Sequence, residues 1–218
     1  LITGLLKQGN AQGYELLAKT EEQLGNLRAA KLYWESYGKK FGKKEAIERA
    51  RHLARCIDIM DRIATVSNRV AMKYLQELKA LREKLGEFEG AGIFISRFIA
   101  EESLMRGYFR EGVMEYNGVL AMNGYKDVDK GLFMLYLIGL YQIGRLKELQ
   151  KQYKLFKDKH YSLEDEMYYN IDKIDNVYFL AKGEYLYEEL VNKSKQPGKK
   201  DILEIKKIAE QILSLIHI

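Results

Sequence analysis

Apolar residues recur at three- and four-residue intervals along most of the chain, which is the spacing of one face of an α-helix. Residues 93 to 104 show the pattern well, with apolar side chains at Ile93, Phe94, Phe98, Ile99, Ala100 and Leu104. No segment gives a convincing strand pattern. The single proline, Pro197, also disfavours a β-sandwich built on proline-glycine turns. The pattern therefore predicts an all-α fold.

Short breaks divide this helical pattern at regular intervals. They fall at Gly25, Val66, Gly107, Gly144 and Gly183, which are 41, 41, 37 and 39 residues apart. Periods of this length are typical of helical-repeat proteins, because one helix pair cannot bury its own apolar face and must stack on the next. The sequence therefore predicts a single array of about five helix pairs over residues 1–218, with a closing helix near residues 202–213.

Residue types around the breaks also recur. Five positions after a break the residue is small at Ala30, Ala71 and Gly112, as a close helix crossing requires. Nine positions after a break it is large and aromatic at Trp34, Tyr116 and Tyr153. This register predicts that the three aromatic rings are buried between paired helices.

Three stretches resemble the tetratricopeptide repeat: residues 17–34 around Gly25, residues 100–116 around Gly107 and residues 136–153 around Gly144. In that family the turn glycine, the small residue and the later aromatic hold the two helices of a repeat together. The period here exceeds the family's ~34 residues, and the closing proline of each repeat is missing. Longer, proline-poor repeats resemble the sensor regions of bacterial transcription activators, both LuxR-type regulators and the bacterial transcriptional activator domain.

The resemblance implies a right-handed superhelix that binds a protein, a peptide or a small effector in its concave groove, without catalysis and without a cofactor. It also implies the regulatory part of a bacterial transcription regulator. Projecting the family's groove positions onto this chain gives Phe94, Arg97 and Glu101, then Met134, Ile138 and Tyr141, and then Lys173, Val177 and Leu180. In such a groove Arg97 and Lys173 would pair with a carboxylate or another anion. For Phe94, Ile138 and Val177, packing against neighbouring helices is an equally good interpretation.

The formal net charge of +5 is concentrated in the first part of the chain. Residues 1–90 hold 17 Lys and Arg against 12 Asp and Glu, whereas residues 91–218 hold 19 of each. Much of the excess lies in a basic run between residues 39 and 55. Such a run can bind a phosphate backbone, so a nucleic-acid-binding helical protein is the alternative function. The same residues are also explained by a solvated turn and helix with the acidic partners Glu45 and Glu48. In that interpretation the chain contacts nucleic acid only weakly or through another domain.

Residues with catalytic or metal-binding chemistry are sparse. The histidines, His52, His160 and His217, do not have the spacing that places two metal ligands on one helix face. Cys56, the single cysteine, lies in an apolar helical stretch and is more typical of a small core residue than of a nucleophile. The glycine-rich segments at residues 38–44 and 86–92 lack the pattern of a phosphate loop or dinucleotide site. The sequence thus favours neither an enzyme nor a metal protein.

The remaining expectations concern cellular context. One cysteine in 218 residues is consistent with a reducing compartment, and no apolar run approaches the length of a membrane span. The sequence therefore predicts a cytoplasmic protein without membrane contact. Leu1 and the apolar tail that ends at Ile218 lead to the expectation that the chain is a fragment of a longer one.

Overall fold

The computed structural model describes residues 10–86, 90–123 and 128–160, together with residues 202, 203 and 207. These residues contain helices and turns and no strand, which confirms the all-α prediction. The first three ranges form eight helices: α1 (Ala11–Gln23), α2 (Leu27–Phe41), α3 (Lys44–Ile63), α4 (Asn68–Leu85), α5 (Ala91–Met105), α6 (Phe109–Asn123), α7 (Lys130–Gln142) and α8 (Leu146–His160). None of the described helices is long and apolar enough to cross a membrane.

Helices end at four of the five predicted breaks. Gly25, Val66, Gly107 and Gly144 lie between consecutive helices. The three glycines have φ angles of 77°, 81° and 72°, a left-handed conformation that glycine adopts without steric cost. The fifth predicted break, Gly183, and the predicted closing helix fall outside the continuously described ranges. A superhelix of the tetratricopeptide type stays a prediction.

Two helices begin with a side-chain cap that their sequence makes possible. Asn10 Oδ1 accepts a hydrogen bond from the Gln12 backbone N–H at 3.0 Å, and Asp129 Oδ1 accepts one from Leu132 at 2.9 Å. Short Asn and Asp side chains satisfy first-turn donors that have no partner within the helix. These caps set the starts of α1 and α7.

The chain divides into two compact units, and the division passes through α6. Unit 1 comprises residues 1–106 and 114–122, and unit 2 comprises residues 107–113 and 123–218. In unit 1, α3 occupies the centre of the core because its apolar residues recur every three or four positions. They are Ala46, Ala50, Leu53, Cys56, Ile59 and Ile63, all buried. This stripe packs between α2 and α4.

The register of small and aromatic residues is confirmed. Ala30 and Ala71 are fully buried. Trp34, Tyr116 and Tyr153 are only 7%, 2% and 5% exposed, as their place nine residues after each break predicts. Within unit 2, α7 packs against α8 through stacked Phe133 and Phe156 rings whose centroids are 4.5 Å apart.

Arginine hydrogen bonds and ion pairs connect segments of unit 1 that are far apart in sequence. Arg106, just after α5, donates to the Ile63 carbonyl at 2.7 Å and to Asn68 Oδ1 at 2.9 Å. It thereby caps the carboxyl end of α3, where backbone carbonyls lack helical partners. Arg82 of α4 pairs with Glu115 of α6 in a buried contact that Lys79 joins at 2.8 Å. These contacts connect the end of α5 with the end of α3, and α4 with α6.

Replacing Gly25 by alanine should destabilise the protein more than replacing Gly42 by alanine. Both glycines have positive φ, so either alanine costs about 1–2 kcal/mol in backbone strain. A Cβ on Gly25 would lie 2.5 Å from Phe94 Cδ2, whereas a Cβ on Gly42 meets nothing within 4 Å. Moving the ring should add about 1–3 kcal/mol. Unfolding curves in denaturant measure both losses, and equal losses would show that the Phe94 ring moves aside without cost.

Candidate functional site

The residues predicted to line a groove are distributed over separately described parts of the chain. Phe94, Arg97 and Glu101 lie on α5 in unit 1, and Met134, Ile138 and Tyr141 lie on α7 in unit 2. Lys173, Val177 and Leu180 fall outside the described residues. A common groove formed by all three sets therefore stays a prediction. Among these residues, Phe94 lines a cavity in unit 1.

Phe94 forms one wall of a cavity of about 420 Å³, here called the apolar cavity. Its other walls are residues 25–29, at the turn into α2, and Ile57, Met60 and Asp61 on the last turns of α3. The Phe94 ring lies against Gly25, and 37% of the side chain remains exposed. The cavity therefore combines a glycine turn with a partly exposed aromatic ring.

An exposed ion pair marks the rim of the apolar cavity. Arg28 Nη2 donates to both carboxylate oxygens of Asp61, at 2.6 and 2.9 Å. Both side chains are well exposed, so the pair contributes little to stability. Beneath the rim, Leu27 is buried, and Ile57 and Met60 pack against the core of unit 1. The arrangement offers apolar contact in the interior and polar contact at the edge.

The α3 side of this cavity was not predicted from the sequence. Ile57 and Met60 continue the apolar pattern of α3 and look like ordinary core positions in sequence. Their position beside the continuous stripe formed by Leu53, Cys56 and Ile59 indicates a second apolar face on the same helix. Periodicity does not show that this face meets Phe94, because the two segments are more than thirty positions apart in sequence.

A second cavity in unit 1, here called the charged cavity, has a volume of about 720 Å³. Four helices or their termini contribute side chains to it: Glu15 from α1, Trp34 and Tyr37 from α2, Lys84 from α4, and Lys43, Glu45, Ala46, Glu48, Arg49 and His52 from the start of α3. It therefore contains charges of both signs beside two aromatic side chains.

A buried carboxylate lies next to the charged cavity. Glu22 is only 3% exposed and accepts hydrogen bonds from Trp34 Nε1 and from Arg49 Nε, each at 2.6 Å. Arg49 Nη2 also donates to the second carboxylate oxygen at 2.6 Å and to the Leu85 carbonyl at 3.0 Å. The guanidinium lies 5.6 Å from the Trp34 ring centroid, within the range of a cation–π contact. Four helices thus meet at one ion pair.

Another carboxylate of the charged cavity is held in its ionised form. The hydrogen bond from Lys19 to Glu15, 2.7 Å long, lowers the pKa of Glu15, and Lys43 acts in the same direction. Tyr37 donates to Glu15 at 3.3 Å. Partial burial and the Glu15 charge raise the pKa of Tyr37, so its hydroxyl stays a neutral donor.

The basic run is mostly engaged within the protein. Arg49 pairs with Glu22, and Arg55 pairs with Glu77 and Asp58. Lys39 and Lys31 pair with Glu35, and their hydrogen bonds lower the pKa of Glu35 to about 2. Lys40 lies over the Tyr14 ring, 5.2 Å from its centroid. These contacts favour the interpretation of the run as a solvated turn and helix with internal acidic partners, but the partners are Glu22, Glu35, Asp58 and Glu77 rather than the expected Glu45 and Glu48.

The described residues contain no group of three His, Cys, Asp or Glu side chains able to hold a metal ion. The His160 side chain and His217 are outside the description. Cys56 is fully buried, and burial raises the pKa of its thiol to about 12. The thiol is therefore neutral at physiological pH and unsuited to nucleophilic attack.

No family model, no curated protein and no solved structure matches the chain. The resemblance to tetratricopeptide repeats therefore rests on the three sequence stretches around Gly25, Gly107 and Gly144.

Replacing Glu22 by glutamine should destabilise the protein by about 1–3 kcal/mol, because it leaves the partly exposed Arg49 charge without its partner. Glu77→Gln is the matched control; it should have a much smaller effect because the Glu77–Arg55 pair lies in water. Unfolding in denaturant gives both values. The double variant Glu22→Gln with Arg49→Met should regain part of the loss. A loss for Glu22→Gln as small as the control's would show that the buried pair is not needed.

Cys56 should resist thiol reagents while the protein is folded. Near pH 8 the folded chain should react with dithionitrobenzoate far more slowly than the chain in denaturant, because the thiol is buried and protonated. Release of the coloured thiolate, measured by absorbance, follows the reaction to one thiol per chain. Equal rates for folded and unfolded chains would contradict burial of Cys56.

Proposed function

We propose that this chain is a non-enzymatic binding module that recognises a short segment of another protein, with the apolar cavity as the principal contact. The observation that carries the proposal is the cavity itself, about 420 Å³ in volume and walled by Phe94, Ile57 and Met60. Ligand sites of proteins are commonly concave, mostly apolar and about 300–1,000 Å³ in volume. The cavity meets these criteria in size and lining.

The structure of the rim favours a protein ligand over a small apolar molecule. Interaction sites commonly surround an apolar anchor pocket with polar groups that pair at the edge. Arg28 and Asp61 are both exposed and lie beside the cavity, so a peptide backbone or polar side chain can hydrogen-bond to them. An apolar side chain of the ligand would then contact Phe94 and Met60.

Preformed walls support binding at low entropic cost. Ile57 and Met60 pack against the buried core of unit 1, and the turn at Gly25 lies against the Phe94 ring. A cavity whose walls are already ordered loses little conformational freedom when a ligand enters. The lining residues include no histidine or cysteine, so their chemistry suits recognition better than catalysis.

A regulatory role in a bacterial transcription regulator is part of the proposal and is supported by the sequence resemblance alone. Helices paired around Gly25, Val66, Gly107 and Gly144 are compatible with it. In that setting the apolar cavity would receive a segment of a partner protein, and any contact with nucleic acid would belong to another domain.

The proposal predicts that filling the apolar cavity abolishes peptide binding. Peptides selected from a displayed random library on the wild-type chain should share an apolar anchor residue. Ala29→Phe places a ring in the cavity and should weaken those peptides roughly tenfold or more. Ala80→Phe, on an exposed position of α4 outside the cavity, is the matched control and should leave the affinity unchanged. Fluorescence polarisation with labelled peptides measures both.

Two results would overturn the assignment. One is a selection that yields no binding peptide, and the other is a peptide that binds Ala29→Phe as tightly as the wild-type chain. Circular dichroism of each variant establishes that it is folded. If Ala29→Phe does not fold, Met60→Ala removes a wall of the same cavity and should weaken the selected peptides without adding volume.

A further inference from the structure

The charged cavity is a second concave site in unit 1, separate from the apolar cavity. Its acids and cations are mixed along the chain: Lys43, Glu45 and Glu48 line it from the start of α3, and Lys84 lines it from the last turn of α4. The Arg49 bond to the Leu85 carbonyl, 3.0 Å long, holds these two helix ends side by side. The cavity is therefore framed by opposite charges on a fixed scaffold.

Internal pairing already neutralises part of the lining. Arg49 is bound to Glu22 through two contacts of 2.6 Å, and Glu15 is bound to Lys19 at 2.7 Å. In the described part of the chain, Lys43, Lys84, Glu45 and Glu48 form no direct ion pair, and all four side chains are exposed. Two cations and two acids thus remain available to a ligand.

The charges on a ligand determine whether it is attracted to or repelled by the lining of the charged cavity. A purely anionic ligand bound at Lys43 and Lys84 would be repelled by Glu45 and Glu48. A purely cationic ligand bound at the two acids would be repelled by the two lysines, so in each case repulsion offsets the attraction. A ligand with one group of each sign can pair with both sets at once. Hydrogen bonds between charged groups are stronger than those between neutral ones, so both ends would contribute to affinity.

We propose that the charged cavity binds a small zwitterion, of the class of amino acids and short peptides with free ends. Its carboxylate pairs with Lys84 and Lys43, and its ammonium group pairs with Glu45 and Glu48. Tyr37, whose hydroxyl is held by Glu15 at 3.3 Å, provides an aromatic wall for the body of the ligand. This site is independent of the peptide contact proposed for the apolar cavity.

Dipeptides with free ends and with one blocked end test whether the ligand needs both its ammonium and its carboxylate group. Phenylalanylglycine, leucylglycine and serylglycine are titrated calorimetrically, each with free ends, with an acetylated amino end and with an amidated carboxyl end. At least one free dipeptide should bind, and each of its blocked forms should bind roughly tenfold more weakly or worse. The Lys84→Met and Glu48→Gln variants should lose the same factor. Lys73→Met, which removes an exposed α4 lysine outside the cavity, should not.

The outcomes distinguish this proposal from the one for the apolar cavity. Retained dipeptide binding by Ala29→Phe supports two separate sites, and its loss in that variant would overturn the placement in the charged cavity. Failure of all three free dipeptides to bind at millimolar concentration overturns the proposal. So does equal binding of the free and blocked forms, or unchanged binding by both Lys84→Met and Glu48→Gln.

Discussion

The ion pair between the buried Glu22 and the partly exposed Arg49 is the constraint on which the first five helices depend. A carboxylate withdrawn from water costs several kcal/mol unless charged donors surround it. Here the donors come from different helices: Trp34 from α2 and Arg49 from α3. Arg49 in turn binds the last carbonyl of α4 at Leu85. The need to satisfy one carboxylate therefore fixes the end of α1 relative to three other helices.

The same junction determines where α5 begins. Gly90 precedes α5, and a Cβ at this position would lie 3.0 Å from Glu22 Oε2. The absence of a side chain lets the backbone pass close to the carboxylate, and Phe94 follows one turn later. The two cavities then form at opposite ends of the α2–α3 pair. The apolar cavity lies near Arg28 and Asp61, and the charged cavity lies near Trp34 and Arg49.

Local features of the fold were predictable from sequence, whereas the cavities were not. The breaks at Gly25 and Gly144 and the burial of Trp34 follow from spacing, because helix periodicity and left-handed glycine turns are local properties. Arg49 could be counted only as one more positive charge, since its partner Glu22 is 27 positions away on another helix. Phe94 was a candidate contact residue by analogy with a repeat family, but its neighbours Gly25 and Met60 depend on the tertiary packing of α5 against the first turn.

The contact between Phe94 and Gly25 also has a consequence for how the protein unfolds. Most helix contacts in unit 1 join consecutive helices, and a chain of such nearest-neighbour contacts can fray from its end one helix at a time. Phe94 and Gly25 are 69 positions apart in sequence, so their contact closes a long loop and requires every helix between them to be in place. Helix α1, the first of the described helices, is thereby connected to α5, and its detachment would break the loop that the intervening helices complete. The first five helices should accordingly lose their structure in one cooperative step rather than successively from the amino-terminal end.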